Sequence, residues 1–344
     1  MVLLLSLFSG CGGLDLGFER AGLRPCLALE RRSSSVASWN ANRPSNQVSH
    51  QADLSKANLG TIEKSFGRLE RVSAVVGGPP CQSFTRANSR RRPGDARARL
   101  TGKFISIALQ LHRYRQPLDF IVMENVRELR KERDGRYLSS QIARLRNAGF
   151  RVEAIDLNAL AFGVPQNRHR LFVIAIREDL AGLSAKHFLS SISPVRTVRE
   201  AIAHLPDPAH FELVPRGQEP AFHPNHWCMT PRSQRFFDGS LSPGDSSRRS
   251  FKTLHWDRPS IAVSYGHREV HVHPNTCRRL SILESMLLQG FPESFVLKGS
   301  LSDQIDQVSE AVPPPLAEAV AVGVLKSIDS SQNQMCDNAC SLSL

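Results

Sequence analysis

Over the first half of the chain, short apolar runs alternate with helix-like stretches. "VLLLSLF", "CLALE", "AVVGG", "FIVMEN", "VEAIDL" and "RLFVIAI" read as strands. Between them, "GLDLGFERAG", "GKFISIALQLHRY" and "YLSSQIARLRNAGF" read as helices. Alternation of this kind predicts an α/β domain with a mainly parallel sheet. "RLFVIAI" follows "VEAIDL" after a loop and is expected to form an antiparallel edge strand.

Further along, the pattern changes. Proline, histidine and arginine rise, and eight of the twelve histidines fall between His204 and His273. Helical periodicity returns at "CRRLSILESMLLQGF", and "AVPPPLAEAVAVGVLKSI" then resumes an apolar helix. This predicts a catalytic-type domain over residues 1–185, completed by 300–328, with a smaller irregular domain over 186–299. The polar tail, 329–344, is expected to be disordered. "MVLLLSLF" lacks a basic flank and runs into "SGCGG", which suits a buried strand better than a signal peptide. No run approaches the ~18 consecutive apolar residues of a membrane helix.

Charge narrows the partners. With 44 Lys and Arg against 32 Asp and Glu, the formal charge is +12. Such an excess asks for a polyanion, nucleic acid ahead of an anionic membrane surface; a generally basic solvated surface is the plainer alternative. Seven scattered cysteines give no disulfide framework and fit a reducing cytoplasm.

In open α/β sheets, ligands bind beyond the carboxyl ends of the strands. After the first strand, "FSGCGGLDLGF" offers Gly10, Gly12 and Gly17 for a tight turn and close backbone approach to a ligand. Asp15 and the late glycine break the dinucleotide pattern and favour a nucleoside cofactor without phosphates. Glu30, at the end of the second strand, is placed for a ribose, and Asp53 for the end of a third, weaker strand. Cys81 follows "VVGGPP", and Glu124 ends an apolar strand where desolvation would raise its pKa. Cys81 taken alone is a small buried hydrophobe; taken with the rigid platform before it, it is a nucleophile. Six arginines between Arg86 and Arg99 make the following loop a lid for a polyanion, or plain disorder. In "GVPQNRHRLF", alternation sends Arg168 and Arg170 to one face, toward phosphate or Glu124. His223, His226 and Cys228 do not complete a zinc spacing, and no metal is expected.

"FSGCGGLDLGFERAG", "GGPPCQSFT", "ENV", "GVPQNRHRLF", "RRLSILESMLLQGFP" and "VSEAVPPPLAEAV", in that order, resemble the ordered motifs of the cytosine-C5 DNA methyltransferases of bacterial and phage restriction-modification type. The resemblance implies a Rossmann-like S-adenosylmethionine-dependent domain plus a target-recognition domain over 186–299. It implies Cys81 as nucleophile toward cytosine C6, Glu124 on N3 and the amino group, Arg170 on O2, and Arg168 orienting Glu124 or the closing loop. It puts Phe8, Gly10, Gly12, Glu30, Asp53 and Pro79 around S-adenosylmethionine. Gln82, Ser83, Arg86 and Gln166 fall on the DNA side. The partners implied are double-stranded DNA and a cognate restriction endonuclease, for a monomer in a prokaryotic cytoplasm. Rival readings are a tRNA cytosine-C5 methyltransferase and an inactive DNA-binding relative. One departure stands out: Ser309-Glu310 replaces the Gly-Asn usual before Ala-Val-Pro, which predicts weakened cofactor binding.

Overall fold

The apolar runs assemble into one sheet. It contains β1 (Leu3–Leu7), β2 (Arg24–Glu30), β3 (Ser49–Gln51), β4 (Val72–Gly77), β5 (Phe120–Asn125), β6 (Phe150–Asn158) and β8 (His169–Arg177), while the short β7 (Gln166–Asn167) stands outside it. The spatial order is β3-β2-β1-β4-β5-β8-β6. The computed structural model describes residues 2–341 apart from 45–47, 81–98, 133, 181, 183, 190, 191, 214–218, 248–250 and 263–270. Cys81, Gln82, Ser83 and Arg86 therefore lie outside the described residues.

The first five strands run parallel, and β8 pairs antiparallel with both β5 and β6. "RLFVIAI" is thus antiparallel as expected but sits inside the sheet; the edge belongs to β6. Composition explains the exchange. Leu171 to Ile176 are all buried, whereas β6 alternates buried Phe150 and Val152 with exposed Arg151 and Glu153. A strand with polar side chains on one face can border water, and an apolar one cannot without loss.

The helices are α1 (Gly13–Arg20), α2 (Ser33–Ala41), α3 (Leu59–Phe66), α4 (Leu100–Tyr114), α5 (Arg136–Arg146), the short α6 (Ala185–Phe188), α7 (Val198–Ile202) and α8 (Ile282–Leu287), then α9 (Leu301–Glu310) and α10 (Pro314–Ser341). Strand alternation sorts the core into two layers. Leu5, Leu7, Val75, Ile121 and Met123 pack with Phe104 of α4 and Leu138 of α5. Leu4, Ala74, Val76, Phe120 and Val122 face Phe18 of α1 and Leu316 and Val320 of α10.

Gly17 serves this second layer rather than a ligand. A Cβ there would stand 2.4 Å from the Ala317 Cβ and 2.5 Å from the Pro314 carbonyl oxygen, so the glycine lets α1 lie directly on α10. The stretch Leu301–Asp329 passes by length and composition for a membrane span, which the search for an unbroken apolar run missed; 67% of its most apolar window is buried inside the protein, as in a core helix. The helix itself continues to Ser341, past the Asp329 boundary drawn from sequence.

Among the described residues of 186–299 the strands are two residues long: β9 (Ala209–His210), β10 (Trp227–Cys228), β11 (Lys252–Thr253), β12 (Ser260–Ile261) and β13 (His271–Val272). β12 pairs with β7, and Ser260 donates from both its backbone N–H and its hydroxyl to the Pro165 carbonyl at 2.9 and 3.0 Å. That seam brings the irregular region against the "PQNRHR" segment.

Candidate active site

The turn after β1 is shaped by left-handed backbone: Phe8 at φ 55°, Gly10 at 55° and Gly12 at 92°. For Phe8 that conformation costs on the order of 1–3 kcal/mol, a strain usual at functional turns. The Gly10 N–H donates to Glu30 Oε2 at 3.1 Å, and the Arg32 N–H to Oε1 at 2.9 Å, so both carboxylate oxygens are aimed by the backbone. Nothing lies within 4 Å of where a Gly10 Cβ would stand. This open turn beside an aimed carboxylate is a cradle that fits the nucleoside part of S-adenosylmethionine.

Trp39 and Arg43, which sequence reasoning passed over, brace the turn from beneath together with Asp15. Asp15, fully buried, accepts from Ser6 Oγ and Trp39 Nε1, both at 2.6 Å. Burial raises its pKa, against the lowering effects of the Arg43 charge and these two hydrogen bonds. Arg43 donates to the Gly12 carbonyl at 3.1 Å and to Glu19 at 2.7 Å, and stacks 4.0 Å over the Trp39 ring.

Asp53 lies two residues beyond β3, exposed on the rim. Its Oδ1 accepts from the Ser55 N–H at 3.0 Å and hydroxyl at 2.6 Å, which hold its pKa below the usual range.

At the end of β4 the two glycines have separate reasons. A Cβ on Gly77 would stand 2.0 Å from the Leu7 carbonyl oxygen; one on Gly78 would stand 3.1 Å from Glu124 Oε2. Pro79 follows, its carbonyl accepting from Asn125 Nδ2 at 3.2 Å. The segment entering Cys81 is therefore tied to the end of β5.

Glu124, 7% exposed, pairs with Arg170 through Nε at 2.8 Å. Burial raises its pKa, and the charges of Arg170 and Arg168 together with the Arg170 hydrogen bond only partly offset this. Arg168 is buried, and its Nη2 donates to the carbonyls of Ser309 at 2.6 Å and Ala311 at 2.9 Å. The hydrogen bonds of that guanidinium thus reach the 309–311 turn, while Arg170 is the direct partner of Glu124. Gln166 is fully buried, and its amide has no hydrogen-bond partner among the described residues.

Phe8, Gly10, Gly12, Glu30, Pro79, Glu124 and Arg170 thus gather at the carboxyl-end rim of the sheet. His226 is committed elsewhere: its ring meets Ser281 Oγ at 3.0 Å and the Pro206 carbonyl at 2.7 Å.

Comparison with known proteins agrees with this arrangement. The chain is 33% identical over 338 residues to the type II methyltransferase M1.HphI of Haemophilus parahaemolyticus, covering 94% of this chain and 86% of that protein. It is 30% identical to M.NgoPII of Neisseria gonorrhoeae, covering 95% and 96%. Among solved structures, a candidate DNA modification methyltransferase encoded within an E. coli prophage superposes with a TM-score of 0.79 at 24% identity, covering 96% of this chain and 100% of the other. The S. pombe Dnmt2 methyltransferase has the same fold, with a TM-score of 0.68 at 16% identity over 94% and 98%. Residues 2–326 match the C-5 cytosine-specific DNA methylase family, and the chain belongs to it.

Proposed function

We propose that this protein methylates C5 of a cytosine flipped out of a specific duplex DNA sequence, with Cys81 as nucleophile and Glu124 as acid. The observation that carries the reading is the buried Glu124, its pKa raised by burial, beside the Pro79–Asn125 tie that precedes Cys81. Cytosine C5 is a weak nucleophile. Addition of the Cys81 thiolate to C6 forms a C–S bond and shifts ring electrons toward C5, while protonated Glu124 donates to N3 as negative charge builds there. S-adenosylmethionine supplies the methyl group that the activated C5 accepts. Loss of the C5 proton to a base then expels Cys81 and restores the ring.

Arg170 orients Glu124 and faces the base. Arg168 holds the 309–311 turn, next to the cofactor wall. Phe8, Gly10, Gly12, Glu30, Asp53 and Pro79 form that wall, with Glu30 toward the ribose. The unpartnered Gln166 amide is suited to a polar group of the extruded nucleotide, and Gln82, Ser83 and Arg86 complete the DNA side. Residues 186–299 read the sequence. The type II relatives support a cognate restriction endonuclease as functional partner, and we take the enzyme to act as a monomer on cytoplasmic DNA.

The test is transfer of a labelled methyl from S-adenosylmethionine to unmethylated genomic DNA and, separately, to bulk tRNA. Label in DNA that disappears with Cys81→Ala supports the reading. Label in tRNA alone moves the substrate to RNA, and label in neither overturns the assignment.

A further inference from the structure

Where the family resemblance leads one to expect asparagine, Glu310 stands at the last position of α9. A carboxylate there meets the partial negative charge of the helix's terminal carbonyls, an unfavourable placement on its own. Asp306, one turn earlier, adds a second like charge. Both acids are answered from the other side of the cofactor rim by Arg32, 278 residues away from Glu310 in sequence: Nη2 lies 3.0 Å from Glu310 Oε1 and Nη1 3.4 Å from Asp306 Oδ2.

The same residue's backbone N–H holds Glu30 Oε1 at 2.9 Å. The 309–311 turn is gripped from its other flank by Arg168, through the Ser309 and Ala311 carbonyls. The cofactor rim is thereby closed into a continuous chain, running from Glu30 through Arg32 to Glu310 and on to Arg168.

We propose that Arg32 and Glu310 are positioning residues for S-adenosylmethionine: their ion pair bolts the end of α9 to the segment after β2 and so holds Glu30 in place for the cofactor. The pair answers the Ser309-Glu310 departure. A residue that looks like a defect in the cofactor motif is one half of a clamp, and Arg32 is the other half. The proposal rests on the assignment of Glu30 to the cofactor.

The side chains of Arg32 and Glu310 are 26% and 48% exposed, so the pair is screened by water and its effect is modest. Direct calorimetric binding of S-adenosylmethionine to the full chain, without DNA, is the primary readout. Arg32→Ala and Glu310→Gln are each expected to weaken binding about twofold to fivefold, the weight of a partly exposed ion pair. The double variant is expected to be no weaker than the worse single one. Arg32→Glu combined with Glu310→Arg should recover most of the loss. Raising salt should weaken binding more in the wild type than in the double variant. In methyl transfer, KM for the cofactor should rise while kcat at saturation stays within about twofold, because the reacting groups are untouched. Unchanged binding in both single variants, or fully additive losses, would overturn the clamp. Glu30→Ala, measured alongside, separates the two levels. Undiminished binding there removes Glu30 from the cofactor site and the clamp with it; a large loss there with silent Arg32 and Glu310 variants removes the clamp alone.

Discussion

Two buried glutamates, each beside an arginine, have pKa values pushed in opposite directions. Glu124 is the next-to-last residue of β5, and Glu284 lies in α8 of the irregular region. Burial acts on both to favour the protonated form. At Glu284 it is outweighed: Arg278 engages both oxygens at 2.8 and 2.9 Å, His273 approaches to 3.7 Å and the Ser281 N–H donates at 2.7 Å, leaving the pKa lowered. At Glu124 the single Arg170 contact through Nε leaves burial dominant, and the pKa is raised. One carboxylate is saturated with partners and held toward its charged form; at the other, burial shifts the balance toward the protonated form.

The same division separates the two regions. The sheet positions its rim by continuous backbone ladders and two apolar layers. The described residues of 186–299 pair in two-residue ladders and are joined by polar staples. Asn225, for example, donates from Nδ2 to the Leu297 carbonyl at 2.9 Å and to Gln304 Oε1 at 3.0 Å. A staple leaves the intervening loops free to vary in sequence.

The largest effect belongs to the reacting thiol. Cys81→Ala should lower methyl transfer by about four orders of magnitude or more with cofactor binding retained, measured as label incorporated under saturating DNA. Residual transfer near wild type would remove Cys81 from the chemistry.

Glu124→Gln should cost about two to four orders of magnitude in kcat. If protonated Glu124 is the acid, the alkaline limb of the wild-type kcat profile should lie above the ordinary carboxyl range and vanish in this variant. A raised folded pKa also means that Glu124's contribution to stability is complete below its unfolded pKa and is lost as pH rises through the folded one. Glu284 has the opposite sign: its contribution is present above the unfolded pKa and disappears as pH falls through the lowered folded value. Acid unfolding should therefore begin in the irregular region, readable as loss of amide protection around α8 before β5.

Arg278→Met removes the guanidinium that engages both oxygens of the buried Glu284 and should destabilise its region by about 3–5 kcal/mol. Denaturant unfolding followed by hydrogen exchange would show whether α8 opens while β4 and β5 stay protected. A single concerted transition would erase the distinction between the regions.

Ser281→Ala should have the smallest effect, about 0.5–2 kcal/mol. It removes the cap on the Glu284 N–H at 3.0 Å and the contact to His226. Its Tm shift sets the scale of a single staple.

Much of the site was legible because its residues sit in short, local patterns. "ENV" and "QNRHR" each put charged groups at a strand end, and the α/β alternation places such positions on one rim. The bracing of the first turn by Trp39 and Arg43 was not legible. Neither residue belongs to a motif, and each reaches its partner only after α2 has folded against α1.

The sequence by itself determined the succession of strands and helices and the family resemblance, because periodicity, residue type and motif act over a few neighbouring positions. The tertiary structure decided what no local pattern encodes. β8 took an interior place because its burial on both faces required two neighbours. Gly17 went to helix packing because α10, three hundred residues later, lies across it. Glu310 found Arg32, and Arg168 found the carbonyls on either side of Glu310, because these groups meet only when the end of the chain returns to the sheet. Contacts at such separation depend on the closure of the whole fold, and the physical reason they escape sequence reading is that their energy exists only once that closure is complete.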